Sequence, residues 1–159
     1  MMHGTIRHKG RWLIQEWDAP PPMDPDYLLK AYKEGKGRMI NNVITNVGIA
    51  EMAKRNTGQS SLSNNKMLLG SANTPTPLAS QTGLTTQTGS VNITSRTLQG
   101  TTERYLATAT TASVTNNYLG ELGLAANTIL ISRVVVNPKI LFTTGKTYTL
   151  MALMTHQAV

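Results

Sequence analysis

Apolar positions keep a helical spacing as far as Asn56 and lose it beyond. Leu28, Leu29 and Tyr32 form a one-sided stripe behind Asp24-Pro25. Asp24 suits a helix N-cap, because its carboxylate can accept from the orphan N–H groups of a first turn, and Pro25 suits the first helical position. Gly35 and Gly37 end this short helix. Ile40, Val43, Ile44, Val47, Ala50 and Ala53 fall near a 3.6-residue repeat, which predicts a second helix over about Met39 to Asn56. Gly48 weakens it by about 1 kcal/mol relative to alanine. Lys54 and Arg55 complement the dipole at its end.

From Thr57 onward the chain is threonine-rich, and short apolar or alternating runs stand between Gly, Asn and Thr. The runs are Lys66–Gly70, Ser90–Thr94, Tyr105–Thr110, Thr128–Val136 and Lys146–Met154. Their β-branched content and flanking breakers predict strands. Irregular spacing without intervening helices points to a mainly β chain, an antiparallel β-sandwich of jelly-roll type, rather than to βαβ units. Ser71–Gly89 reads as a long polar loop carrying Pro75 and Pro77, and a loop of that length is normally functional, an interface element or mobile.

Ahead of the helices, residues 1–23 read as an extended arm, with Pro20, Pro21 and Pro22 favouring a stiff polyproline II segment. The chain divides into residues 1–38, an arm with a short helix, and 39–159, a helix plus β body. Trp12 and Trp17 are the only tryptophans. Two readings stand side by side. Either they pack back onto the body, or the segment with Trp12, Leu13, Ile14, Trp17 and Pro20–Pro22 anchors the arm in a neighbouring subunit, since tryptophan is enriched at interfaces.

Composition narrows the chemistry. The chain has 159 residues, no cysteine and a formal net charge of +7. Disulfides, thiolate metal sites and a cysteine nucleophile are excluded. No apolar run approaches the roughly 18 residues that would span a bilayer, and no apolar segment follows the basic start as a signal peptide would need. Beyond Asn56 the only acids are Glu103 and Glu121, against six bases, and the histidines His3, His8 and His156 lie close to the two ends. General acid–base, metal or triad chemistry needs clustered carboxylates or imidazoles, so the expected class is not an enzyme, without cofactor or metal. Gly35-Lys36-Gly37 and Gly145-Lys146-Thr147 lack the upstream glycine and following helix of a P-loop. His3 and His8 could ligate a metal, but in an arm such a pair reads as accidental. The bases are scattered and strand aromatics are few, which disfavours nucleic acid as a partner. The run Lys30, Lys33, Lys36 and Arg38 reads as a solvated face.

The second half carries a resemblance. Met67-Leu68-Leu69-Gly70-Ser71-Ala72-Asn73-Thr74-Pro75-Thr76-Pro77 resembles a glycine turn ending in Pro-x-Pro found in many bacteriophage tail and tail-fibre-associated proteins. There it follows a helix of the type Asn42–Ala50. Tyr118–Leu124 is similar to that family's segment with a glutamate before Gly-Leu-Phe, and Leu130–Val136 to its arginine-bearing strand. Lys139 and Gly145–Leu150 complete the order. Two positions depart from it: Ala125 stands where the family often has Phe, and the turn reads Gly-Ser-Ala rather than Gly-x-Gly. The resemblance spans about residues 39–154 and leaves 1–38 outside.

It implies a virion structural protein of the tail, neck or baseplate, made in the host cytoplasm. Such a protein would work as a subunit of a homo-oligomeric ring beside other tail, neck or portal proteins, here through the arm. A capsid decoration protein and a small nucleic-acid-binding module are the alternatives. Within the body, Glu121 is one of two acids and lies among apolar residues, so it should pair with a cation; Arg133 is the candidate.

Overall fold

The computed structural model describes residues 6–158, with the backbone alone for Ile6 and Ala158. Nine strands and two helices follow in the order β1 (Ile6–Trp17), α1 (Pro25–Lys33), β2 (Arg38–Ile44), α2 (Asn46–Asn56), β3 (Lys66–Gly70), β4 (Gln87–Asn92), β5 (Ser95–Gln99), β6 (Thr102–Ala109), β7 (Tyr118–Ala126), β8 (Ile129–Leu141) and β9 (Thr147–Ala158). The fold is mainly β, and every strand pairing among the described residues is antiparallel.

The strands form one sheet in the order β4-β3-β7-β8-β2-β1-β9-β6-β5. Its two edge strands are joined through only Ile93 and Thr94. Since a residue advances the chain by at most about 3.6 Å, that link forces the edges together at one end, and the sheet must curl. Ile93 N–H donates to Asn65 O just before β3, while Thr94 N–H donates to Leu106 O on β6 (3.0 and 2.8 Å), so the link is bonded to both sides of the seam. The sheet turns its corner at β2. Residues Arg38–Asn42 pair with β1, whereas Val43 and Ile44 pair with β8. The result is one continuous curled sheet, whose first half (β2-β1-β9-β6-β5) and second half (β4-β3-β7-β8) both send side chains into one core.

The enclosed face holds the main core, including Trp12, Ile14, Leu122, Leu124, Ile131, Val134, Tyr148 and Leu150. A second cluster lies on the outside of the first half, where Leu28 of α1 covers Leu13, Leu106, Met151 and Leu153. Asp24 caps α1 by accepting from Asp26 N–H at 3.2 Å, and Pro25 opens the helix, as the sequence predicts. The predicted strand Lys66–Gly70 is β3. Three other predicted strands start within a few residues of β6, β8 and β9, and Ser90–Thr94 overlaps β4.

Two expectations are overturned. Residues 6–17 are not an arm, because β1 lies inside the sheet between β2 and β9. Its Trp-Leu-Ile run is continuous because both faces of the strand are covered, Trp12 and Ile14 by the core and Leu13 by α1. The division at residue 38 therefore does not separate an arm from a body. Residues Arg38–Ile44 are also strand rather than the start of a helix. Ile40, Val43 and Ile44 satisfy either periodicity, and the open hydrogen-bonding edges of β1 and β8 decide between them. The helix begins six residues later at its N-cap Thr45, whose hydroxyl accepts from Gly48 N–H at 3.0 Å. Gly48 is required there: a Cβ would lie 2.5 Å from the Ile131 carbonyl oxygen on β8.

Candidate functional site

Two clusters of ionisable groups stand out, one dry and one open. The dry one lies on the outside of β7 and β8. Arg133 Nε stands 3.4 Å from Glu121 Oε1, and both side chains are 0% exposed. Burying two charges costs several kcal/mol per ion unless the remaining lone pairs and protons are bonded, and here the long loop supplies partners for both. Thr85 and Thr86 N–H donate to the Glu121 carboxylate (2.6 and 3.2 Å). Arg133 Nη1 donates to Pro75 O (2.8 Å) and Gln81 Oε1 (3.2 Å), and Nη2 to Thr85 Oγ1 (3.3 Å). Gly70 admits this packing, because a Cβ there would meet Glu121 Cγ at 2.5 Å and Thr86 O at 2.6 Å. The segment between β3 and β4 is thus pinned over the sheet at several points. Its Ala79 carbonyl accepts from Asn46 N–H (2.7 Å), which ties it to the start of α2 as well. The pinned loop presents Leu78, 54% exposed, beside α2, where Val47 and Ile49 are also exposed.

The open place is the mouth of the curled sheet under α2. His8 and His156 face each other across β1 and β9, directly in register, with their Nδ1 atoms 2.8 Å apart. His156 Nε2 lies 2.8 Å from Glu103 Oε2. The carboxylate fixes the tautomer: with the proton on Nε2, a neutral His156 has Nδ1 free to accept from His8 Nδ1–H. Burial, with a further contribution from His156, lowers the pKa of His8 below its ordinary 6.5, although Glu103 works in the other direction. A cleft of about 290 Å³ adjoins these groups and is lined also by Met52, Arg55 and Asn64.

A hydrogen-bonded chain closes the other side. Asn64 donates to Tyr105 Oη (3.1 Å), Arg55 donates to Asn64 Oδ1 (3.0 Å) and to Glu51 (3.3 Å), and Ser60 donates to Glu51 (2.5 Å). Burial pushes the Tyr105 phenol up to about 12, so it stays a neutral donor and acceptor. The Ser60 hydroxyl, ahead of Arg55, holds Glu51 below the ordinary carboxylate range. This chain fastens α2 to β6. Chemically, the mouth can hold or pass a proton along Glu103, His156 and His8, and among the described residues no group of three or more His, Asp or Glu converges as metal ligands.

The residues expected at an interface divide. Trp12 and Leu13 are 0% and Ile14 3% exposed, all within this chain's own core. Trp17 is half-buried, donating to Thr149 Oγ1 (2.9 Å) and lying 6.1 Å from the Tyr27 ring, with Lys36 Nζ 4.4 Å from its centroid. Trp12, Leu13, Ile14 and Trp17 are therefore engaged inside the molecule, because β1 is a central strand and α1 folds back on it. Pro20 and Pro22 remain exposed, with Pro21 half-buried. Glu121 and Arg133 are together. His3 lies outside the described residues. The mouth is absent from the sequence reading, since His8 and His156 are 148 residues apart and only the pairing of β1 with β9 joins them. No family model, no curated protein and no solved structure matches this chain.

Proposed function

We propose that the chain is a structural subunit of a bacteriophage tail, neck or baseplate that works as part of a ring. One observation carries the reading. Three of the segments that resemble the tail-protein order are β3 with its loop, β7 and β8, neighbours in the sheet, and the loop is pinned across them by Glu121 and Arg133; of the others, Asn42–Ala50 is split between β2 and α2, and Gly145–Leu150 runs into β9. Segments separated along the chain converge on one rigid surface unit, as a subunit built for repeated contact requires. In this reading the contact is the pinned loop with Leu78, next to Val47 of α2, and not Trp12, Leu13 and Ile14, which are buried. Exposed apolar side chains on an ordered loop lose little conformational freedom when a neighbour covers them.

Light scattering and negative-stain imaging of the purified chain test this. A closed ring is the expected result, and Leu78→Asp should reduce it to monomers that melt at the same temperature. A chain that stays monomeric well above micromolar concentration, alone or mixed with tail particles, removes the proposal. Antibody label on the head lattice rather than the tail axis would move the subunit to capsid decoration.

A further inference from the structure

Of the 15 lysines and arginines, four are in ion pairs among the described residues and 11 are not, three of the latter on one strand. Five of the eight acids sit in ion pairs: Asp18 with Lys146, Asp26 with Arg104, Glu51 with Arg55, Glu103 with His156 and Glu121 with Arg133. Among the described residues, Arg7, Lys9 and Arg11 are in no such pair. All three are exposed, and alternation along β1 turns them to the outer face while His8, Gly10 and Trp12 turn inward. They form a column with a repeat of about 6.8 Å, two strand residues per step.

The surroundings suit an anion. The register partners of Arg7 and Lys9 on β9 are Gln157 and Thr155, and that of Arg11 on β2 is Asn41, all neutral. The pairing of β1 with β2 stops at Gly10 and Asn42, and β2 then turns away to β8. The fork so opened is a cleft of about 490 Å³ beside the column, lined by Lys9, Arg11, Asn41, Asn42, Thr155 and Gln157 among others, with no acid in its lining. Past the last pair, the β1 backbone facing the fork has no strand partner. Cations at regular intervals, flanked by amide and hydroxyl donors and free of carboxylates, match a chain of phosphates.

We infer that the Arg7–Lys9–Arg11 column and the adjoining fork bind the phosphodiester backbone of a nucleic acid. None of the column's register partners is aromatic, and His8, the one ring lining the fork, turns inward and is held against His156, so the contact reads backbone charge and not sequence, and a duplex serves as well as a single strand. An acidic protein segment is less well matched, because the cleft lining has no large apolar side chain to anchor it. The inference is independent of the virion reading. The scattered look of the bases in sequence concealed the column, since only strand alternation gathers positions 7, 9 and 11 on one face.

The test is an anisotropy titration of the full chain with a labelled duplex of about 20 base pairs between about 50 and 200 mM salt. Arg7→Gln/Lys9→Gln/Arg11→Gln should weaken binding at least tenfold. It should also flatten the plot of log affinity against log salt by up to about 2.7, the share of three phosphate contacts. Lys30→Gln/Lys33→Gln/Lys139→Gln removes the same charge elsewhere and should change the slope by less than about one contact's share. Equal losses in both variants mean unspecific attraction by net charge and overturn the inference. So does the absence of binding at the lowest salt, or displacement of the duplex by polyglutamate at equal charge. A wild-type footprint needs no variant: duplex should protect Lys9 from amine acetylation and leave Lys30 and Lys139 reactive. Unprotected Lys9 overturns the inference too.

Discussion

The pinned loop and the sheet mouth hold similar groups, a glutamate and its bases, in opposite settings. At Glu121 and Arg133 both side chains are out of water, and the loop backbone supplies the remaining partners. At the mouth, Glu103 and His156 are 38% and 29% exposed and their partner His8 borders an open cleft. Solvent can take over the bonds of the second group but not of the first. The difference teaches where loss of one partner should be felt. In the dry pair it leaves a stranded charge; in the wet cluster water replaces what is lost.

The strongest way to break the comparison is Arg133→Ala. It strands Glu121 beneath the loop and should lower stability by about 3–5 kcal/mol in denaturant titration, with new protease cleavage between Ser71 and Thr86. Replacing both partners together, Glu121→Leu with Arg133→Met, should recover most of that loss while the loop stays cleavable, which separates the cost of a lone charge from the work of pinning. If the single variant is as stable as the parent, the pair holds nothing. Gly70→Ala forces Glu121 and the Thr86 carbonyl apart and should cost about 1–3 kcal/mol, read in the same titration. At the mouth, Tyr105→Phe removes the partner of Asn64 and should cost about 1 kcal/mol.

The smallest effect is one of pH. The folded chain resists protonation of His8 more than the unfolded chain does, so stability should be greatest above pH 6.5 and decline as pH falls below it toward the lowered folded value. The carboxylates with shifted values, Asp18 and Glu51, titrate below their ordinary 3.8 and 4.5 and stay outside this window. Melting temperatures of the parent and of His8→Gln, measured between about pH 7.5 and 5.5, should converge in the acid range as the variant loses the decline. A parallel pair of curves would dismiss the role of His8.

Local chemistry made part of this legible in the sequence. Asp24-Pro25 announces a helix start wherever it is placed, and Lys66–Gly70 offers a short apolar run between breakers. Glu121 next to apolar neighbours demanded a cation, and the nearest downstream arginine is the one it meets. What stayed hidden depends on pairing across the chain. Trp12-Leu13-Ile14 looks like an anchor until β9 and α1 cover its two faces. Met39–Ile44 fits both periodicities, and only the free edges of β1 and β8 make it extended. His8, His156 and Glu103 have no local signature, because their meeting is set by the register of β1, β9 and β6.

The placement of β1 has a consequence for how the molecule is made. The strand translated earliest among those described is bonded along its whole length to the one translated last, with Ile6 opposite Ala158 and Trp17 opposite Thr147. During synthesis its Trp-Leu-Ile segment lacks one of its two strand neighbours until the ribosome has delivered β9. The nascent chain therefore carries this apolar strand without its β9 partner while the residues between Trp17 and Thr147 are made, and its escape from aggregation rests on how quickly β9 docks once it emerges.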